Sequence, residues 1–198
     1  SDEKTTLVTD VGQHQMWAWQ YYPHPRPRSL ISSCGLGTMG FGLGAAIGAQ
    51  IARPDDAVFL VTGDGCIHMN MAELATAVSE RLPIVVVLMD NKVLGMVRQW
   101  QSLFFKKRYS QTSLGRQTDY VKLVEAFGGI GIKPDLSDKE KLPEVMKQAL
   151  ATAREKRLPV LVDCEIPQDL FVMPMVPAGG SLSEPILSVK QDGSFDRG

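Results

Sequence analysis

An acid and an amide, each placed just after an apolar run, are the residues of this chain best suited to chemistry. Asp64 sits within Gly63-Asp64-Gly65, after Ala57-Val58-Phe59-Leu60-Val61, and Asn91 follows Ile84-Val85-Val86-Val87-Leu88. Between the two runs, Met69 to Arg81 carries Met71, Leu74, Ala75 and Val78 at helical spacing, so the unit reads as strand, helix, strand with a right-handed crossover. Such a crossover delivers both residues to the carboxyl edge of one parallel sheet, where open α/β sheets bind ligands. A carboxylate and an amide carbonyl together suit magnesium, a hard cation that takes one or two protein oxygens and leaves its other positions to phosphate oxygens and water. The glycines flanking Asp64 are expected to let the backbone turn sharply and to free amides for a phosphate oxygen. A bare Gly-Asp-Gly is as often only a turn. The second ligand at a second strand end favours a magnesium-diphosphate grip.

Composition sets the frame for that grip. The chain has 198 residues, 44% hydrophobic and 22% charged, enough for one good-sized core and in the range of a single domain. A net charge of −1 exerts no global pull on nucleic acid or an anionic membrane, so neither is expected as a partner and any phosphate affinity must be local. Cys34, Cys66 and Cys164 are scattered and form no CxxC pair, which argues against a disulfide framework or structural zinc and for a reducing compartment. No apolar run reaches the roughly 18–20 residues of a spanning helix, and Ser1-Asp2-Glu3-Lys4 does not open a signal peptide.

The elements around the grip alternate. Strands are expected at Thr5 to Thr9, Arg28 to Ser32, Ala57 to Thr62, Ile84 to Asp90, Ile130 to Ile132 and Pro159 to Cys164. Helices are expected at Gln13 to Tyr22, at the Gly/Ala-rich Phe41 to Ala52, at Leu94 to Phe105, at Tyr120 to Phe127 behind an Asp119 cap, and at Leu142 to Arg154 with Pro143 in its first turn. The pattern predicts an α/β fold, a three-layer sandwich in which a mostly parallel sheet is flanked by helices. Beyond Pro167, prolines and glycines predict an irregular tail laid over the site, with its last residues disordered.

Further polar and glycine-rich junctions invite a ligand. Gln13 and His14 follow a strand end, where they could meet a diphosphate or simply cap a helix. Gly35, Gly37 and Gly40 around Met39 suggest a loop held close to a ring, although a methionine there is more often a core filler. Trp100 has an ordinary buried aromatic as its alternative, His24 among prolines is expected exposed, and His68 is expected away from the ligand.

Gly63-Asp64-Gly65 followed by Asn91 resembles the thiamine-diphosphate signature of the transketolase and pyruvate-decarboxylase superfamily. Three further blocks, GQHQMW from Gly12 to Trp17, GLGTMGFGL from Gly35 to Leu43 and LGMVRQWQSLFF from Leu94 to Phe105, closely resemble the catalytic subunits of the acetolactate (acetohydroxyacid) synthase family. The resemblance runs from about Thr5 to about Val176, and four blocks agree in order and spacing. It implies the thiamine-diphosphate-binding fold, with the diphosphate-binding domain over residues 1–176 and a C-terminal tail over 177–198.

The resemblance implies roles residue by residue. Gln13, His14, Gly63, Asp64, Gly65, Cys66 and Asn91 would meet the diphosphate and magnesium, with the backbone carbonyl of Val93 as the third protein ligand to the metal beside Asp64 and Asn91. The Gly37 carbonyl would accept from the cofactor's 4'-amino group, the Met39 amide would bond another pyrimidine nitrogen, and the Met39 side chain, next to Thr38, would wedge the cofactor into its bent form. Gly95 and Met96 would line the cofactor, while Met96 and Trp100 would shape the pocket for a second 2-keto acid. Three departures stand out: Cys66 replaces the usual serine or alanine, Gly44 a proline, and Asp90 the commoner asparagine. None removes a metal ligand.

The family's activating glutamate belongs to a different domain of a neighbouring subunit, and Glu73 is a poor substitute, so no residue of this chain is expected to be catalytic by itself. The chain is expected to be the carboxyl-terminal third of such an enzyme, incapable of turnover alone. It would be partnered by the N-terminal and middle domains, the latter holding FAD, in a homodimer or tetramer and with a regulatory subunit. The implied reaction is a decarboxylating condensation of pyruvate with a second pyruvate or 2-ketobutyrate, a transferase step in branched-chain amino acid biosynthesis, in a bacterial cytoplasm or a eukaryotic organelle. Another thiamine-diphosphate-dependent decarboxylase, oxidase or carboligase, or a stand-alone non-catalytic binding module, remains the alternative.

Overall fold

Val-rich runs with no polar alternation are buried on both faces in a parallel sheet, and this is how the central strands of the chain are used. The computed structural model describes residues 4–115, 118–190 and 194–197. Six parallel strands form one sheet: β1 (Thr5–Thr9), β2 (Leu30–Ser32), β3 (Ala57–Gly63), β4 (Val85–Asp90), β5 (Ile130–Ile132) and β6 (Val160–Glu165), in the order β2-β1-β3-β4-β6-β5. Helices α1 (Gln13–Tyr21), α2 (Phe41–Ala52), α3 (Asp64–Asn70), α4 (Leu74–Ser79), α5 (Gly95–Phe104), α6 (Tyr120–Ala126) and α7 (Leu142–Lys156) connect or follow the strands.

The period-2 alternation of the strands divides the core between the two faces of the sheet. Val58, Leu60, Val86, Leu88 and Leu161 pack with Leu43 and Ile47 of α2, Ile67 of α3, Leu74 of α4 and Val124 of α6. Their neighbours Phe59, Val85, Val87, Val160 and Val162 pack on the other face with Ala149 and Ala153 of α7. Small residues at the α7 contact let that helix lie close. The result is the expected α/β three-layer sandwich with a parallel sheet, and Asp119 caps α6 as anticipated, its carboxylate accepting from the Lys122 amide at 3.0 Å.

Two expectations require correction. The helix expected from Met69 to Arg81 begins at Asp64 instead and breaks in the middle, where a 3-10 turn over Met71–Glu73 separates α3 from α4. Asn70 leaves helical geometry at φ −140°, and its side-chain amide donates to the Gly40 carbonyl at 3.1 Å, so a bond to another loop replaces continuation of the helix. The stripe shifts with the break: Ala77 is buried and Ala75 is exposed. The tail expected to be irregular carries a hairpin, β7 (Ile186–Val189) against β8 (Phe195–Arg197). The expected disorder of the last residues concerns in part positions 191–193 and 198, which lie outside the described residues. Among the described residues no helix is long and apolar enough to cross a membrane.

Leu161 is fully buried between layers, whereas Leu187 of β7 is 44% exposed. Urea unfolding is expected to show Leu161→Ala destabilised by about 2–5 kcal/mol and Leu187→Ala by less than about 1 kcal/mol. Equal losses would contradict this layering.

Candidate functional site

The chain leaves β1 to one side, through α1 to β2, and returns to the other side of β1 at β3. A sheet whose winding reverses there opens a crevice outside its carboxyl edge. That crevice is the candidate site. Val11 to His14 enter it from the end of β1, Gly63 to Cys66 from the end of β3, and Asn91, Val93, Leu94 and Gly95 from the end of β4.

Strand register determines which charges meet. Gly63 pairs with Met89, so Asp64 comes beside Asp90, and Asn91 lies one residue further along the neighbouring strand. Asp64 is 3% exposed and Asp90 fully buried. Burial first, and the Asp90 carboxyl second, push the Asp64 carboxyl up to about 7. Its Oδ1 accepts the Gly65 amide at 2.9 Å, and the ammonium of Lys92 is bonded to Asp90 Oδ2. Asp90 Oδ1 has no partner among the described residues. Of the two neighbouring carboxyls only Asp90 has an ammonium bonded to it among the described residues, so the repulsion at Asp64 is relieved by a proton or by a bound cation.

Asn91 is oriented from both sides. Its Oδ1 accepts the Val93 amide at 3.1 Å, and its Nδ2 donates to Gln13 Oε1 at 3.4 Å. Val93 is buried and bridges to Ser113, yet the bridge takes its bonds from Lys92 and Leu94, not from the Val93 carbonyl.

The glycines around Asp64 serve a different purpose from the sharp turn expected of them. Gly63 is extended (φ −104°, ψ 161°) and Gly65 lies in the first turn of α3. What they provide is close approach: a Cβ at Gly63 would come 3.0 Å from the His14 ring, and one at Gly65 3.0 Å from Leu94. The His14 imidazole is thereby packed over the strand end, and burial holds it down at about 4, neutral at pH 7. Its Nε2 is a buried nitrogen with no partner among the described residues. Cys66 donates its thiol to the Val11 carbonyl at 3.1 Å; burial, then Asp10, pushes it up to about 12.

Gln13, His14, Met39, Gly63, Asp64, Gly65, Cys66, Asn91, Val93 and Gly95 thus line one cleft. Gly37 and Thr38 do not; they stand exposed on the loop that leads to Met39. Met96 and Trp100 lie apart as well, with Met16, Val97 and Phe105 along an open apolar groove of about 730 Å³. Trp100 is 43% exposed, not an ordinary buried aromatic. Of the other histidines, His24 is exposed, and His68 bonds the Tyr120 hydroxyl at 3.1 Å.

Sequence reasoning missed Asp10, whose carboxylate accepts the amides of Gly40 at 2.9 Å and Gly42 at 3.1 Å and so pins the Met39 loop to the end of β1. An acid just after an apolar strand was the available signal. It also missed Gln99, buried on α5.

The enclosed cleft measures about 40 Å³, which at roughly 10–15 Å³ per water-sized centre holds about three such centres. An ion with a few oxygens fits; an entire organic cofactor does not, and its rings would have to lie towards the open rim. The oxygen donors, the partnerless His14 nitrogen and the glycine approaches fit magnesium and a diphosphate group. Among the described residues no three His, Cys, Asp or Glu side chains converge as a metal centre; magnesium, taking one or two protein oxygens, requires no such cluster.

Residues 10–164 match the family model described as thiamine pyrophosphate enzyme, C-terminal TPP binding domain. The chain is 48% identical over 178 residues to the acetolactate synthase isozyme 2 large subunit of Escherichia coli, covering 90% of this chain and 31% of that protein. It is 48% identical over 185 residues to an acetolactate synthase of Mycobacterium leprae, covering 91% and 29%. A probable acetolactate synthase large subunit of Methanocaldococcus jannaschii is 40% identical over 189 residues, covering 95% and 31%. The chain therefore spans about 31% of the length of such curated relatives.

Two measurements probe the burial described here. Above pH 6.5 folded and unfolded chains both carry a neutral His14; between about 6.5 and 4 only the unfolded chain takes up the proton, so stability falls as pH falls. Chemical denaturation from pH 7 to 4 should show His14→Gln losing on the order of 3 kcal/mol less than the parent across that window; parallel curves would refute a buried neutral ring. Thiol alkylation of the native chain at pH 8 should label exposed Cys34 and spare Cys66 and Cys164, pushed up to about 12 and about 11 chiefly by burial, until denaturant is added.

Proposed function

Because the chain belongs to the family of thiamine pyrophosphate enzyme C-terminal TPP-binding domains, we propose that its cleft is the diphosphate-and-magnesium half of the thiamine diphosphate site of an acetolactate synthase. The observation that carries this reading is the meeting of Asp64 and Asn91 at adjacent strand ends in one cleft, with the Asp90 carboxyl buried beside Asp64. Asp64, the Asn91 carbonyl and the Val93 carbonyl hold the cation. His14 Nε2 and the amide of Cys66 face the diphosphate oxygens, while the Gly65 amide stays on the Asp64 carboxylate. Bound thiamine diphosphate supplies an electron sink for decarboxylating 2-keto acids, which no side chain of this chain offers.

The other side chains position and enclose. Asp10 fixes the loop that brings Met39 against the cleft. The neutral His14 and the apolar Val11, Trp17 and Leu94 keep water from the strand ends, where charge interactions strengthen as water leaves. The groove of Met96, Val97 and Trp100 receives the apolar end of the acceptor 2-keto acid, pyruvate or 2-ketobutyrate, so the products feed branched-chain amino acid biosynthesis.

The same surface argues for a larger assembly. Trp100, Val97 and Phe105 along that groove are each more than 40% exposed, an apolar rim that the remaining domains and a second subunit would cover. Those domains bring the activating glutamate and the flavin site. A homodimer or tetramer with a regulatory subunit, in a bacterial cytoplasm, completes the proposal.

Calorimetry with thiamine diphosphate and magnesium on the assembled enzyme tests the site. Asp64→Ala should weaken magnesium-dependent cofactor binding at least tenfold while the fold is kept; unchanged binding would refute the grip. Product analysis with pyruvate plus 2-ketobutyrate should give 2-aceto-2-hydroxybutyrate and 2-acetolactate. Acetaldehyde or acetyl phosphate as main product would assign the chain to a sibling enzyme.

A further inference from the structure

Gln99 is the only glutamine of α5 that is buried, 1% exposed, and its amide is fixed by the backbone of the C-terminal segment. The Val172 amide donates to Gln99 Oε1 at 2.8 Å, and Gln99 Nε2 donates to the Val172 carbonyl at 3.1 Å. A backbone N–H can only donate and a backbone C=O can only accept, so these two bonds set which end of the Gln99 amide is oxygen. The same oxygen accepts Gln13 Nε2 at 3.0 Å, and Gln13 Nε2 also donates to the Leu170 carbonyl at 2.6 Å. Both side-chain donors of Gln13 are thus committed, which leaves its Oε1 to accept Asn91 Nδ2 at 3.4 Å. At the far end the Val93 amide donates to Asn91 Oδ1. Backbone groups at both ends impose one polarity on three amides in series.

We propose that Gln99 is a positioning residue for the cation site: through Gln13 it turns the oxygen of Asn91 towards the metal, and it makes that orientation depend on the docking of Leu170 to Val172. The proposal rests on the reading of Asn91 as a ligand. A second observation supports the relay independently. A Cβ on Gly95 would stand 2.2 Å from Gln13 Oε1 and 2.9 Å from Asn91 Nδ2, so the absence of a side chain there is what allows those two atoms to meet. An amide can present oxygen or nitrogen to a cation, and only the oxygen binds it. Partners that fix the orientation of a metal ligand commonly carry 10–100-fold in metal affinity.

A double-mutant cycle in the assembled holoenzyme, with thiamine diphosphate saturating and magnesium titrated by calorimetry, separates positioning from bulk stability. Gln99→Met should weaken magnesium about tenfold with Asn91 in place. It should change affinity less than about twofold in the Asn91→Asp background, because a carboxylate has no wrong end to present. Equal losses in both backgrounds, or no loss in the first, overturn the proposal. If Gln99→Met fails to fold, Gly95→Ala serves, since its Cβ would occupy the space in which Gln13 Oε1 meets Asn91 Nδ2: magnesium about tenfold weaker is expected with Asn91 in place and a change of less than about twofold in the Asn91→Asp background, and equal losses in both backgrounds overturn the relay. Unchanged affinity in Asn91→Ala would instead refute Asn91 as a ligand and take the proposal with it, a result distinct from failure of the relay alone.

Discussion

Two carboxyls side by side at the buried edge of a sheet need a proton or a cation to relieve their repulsion, and Asp64 and Asp90 are placed that way by the pairing of β3 with β4. Burial first, and the Asp90 carboxyl second, raise the Asp64 carboxyl to about 7. Lys92 answers one of the two. The Asp64 carboxyl, left without an ammonium, is the physical basis of the site, and the other features of the carboxyl edge are arranged around it: oxygen donors just after β4, close-packed glycines at the end of β3 and the start of α3, and an imidazole nitrogen on α1 without a partner among the described residues.

Those features are supported from a distance. The cleft lies where the winding of the sheet reverses, so three loops can converge without crossing. Asp10 links the end of β1 to the start of α2, Asn70 ties the broken crossover helix to the same loop, and Leu170 and Val172 hold α1 and α5 through Gln13 and Gln99. Backbone groups serve as fixed points throughout, which suits a site that must present oxygens rather than nitrogens to a hard cation.

Much of this was legible in the sequence because it is local. Valine-rich runs marked the strands, helical spacing marked the connections, and Gly-Asp-Gly with Asn91 at two strand ends located the cleft. What escaped depends on partners remote in the chain. The break after Asn70 comes from a bond to Gly40, and the glycines beside Asp64 are small because a histidine from α1 and a leucine after β4 press on them, not because the chain turns there. Gln99 reads as one more polar residue on an amphipathic helix until Val172 is folded against it. The hairpin of β7 and β8 was hidden by a proline- and glycine-rich stretch that favours no regular element on its own.

The most direct test is to locate the cation. Crystals of the assembled enzyme grown with thiamine diphosphate and manganese in place of magnesium would reveal the metal by its anomalous scattering. The peak should lie within bonding distance of a carboxylate oxygen of Asp64, of Asn91 Oδ1 and of the Val93 carbonyl, with diphosphate oxygens filling other positions. A metal bound elsewhere, with the Asp64 and Asn91 side chains free of it, would contradict the assignment of the site.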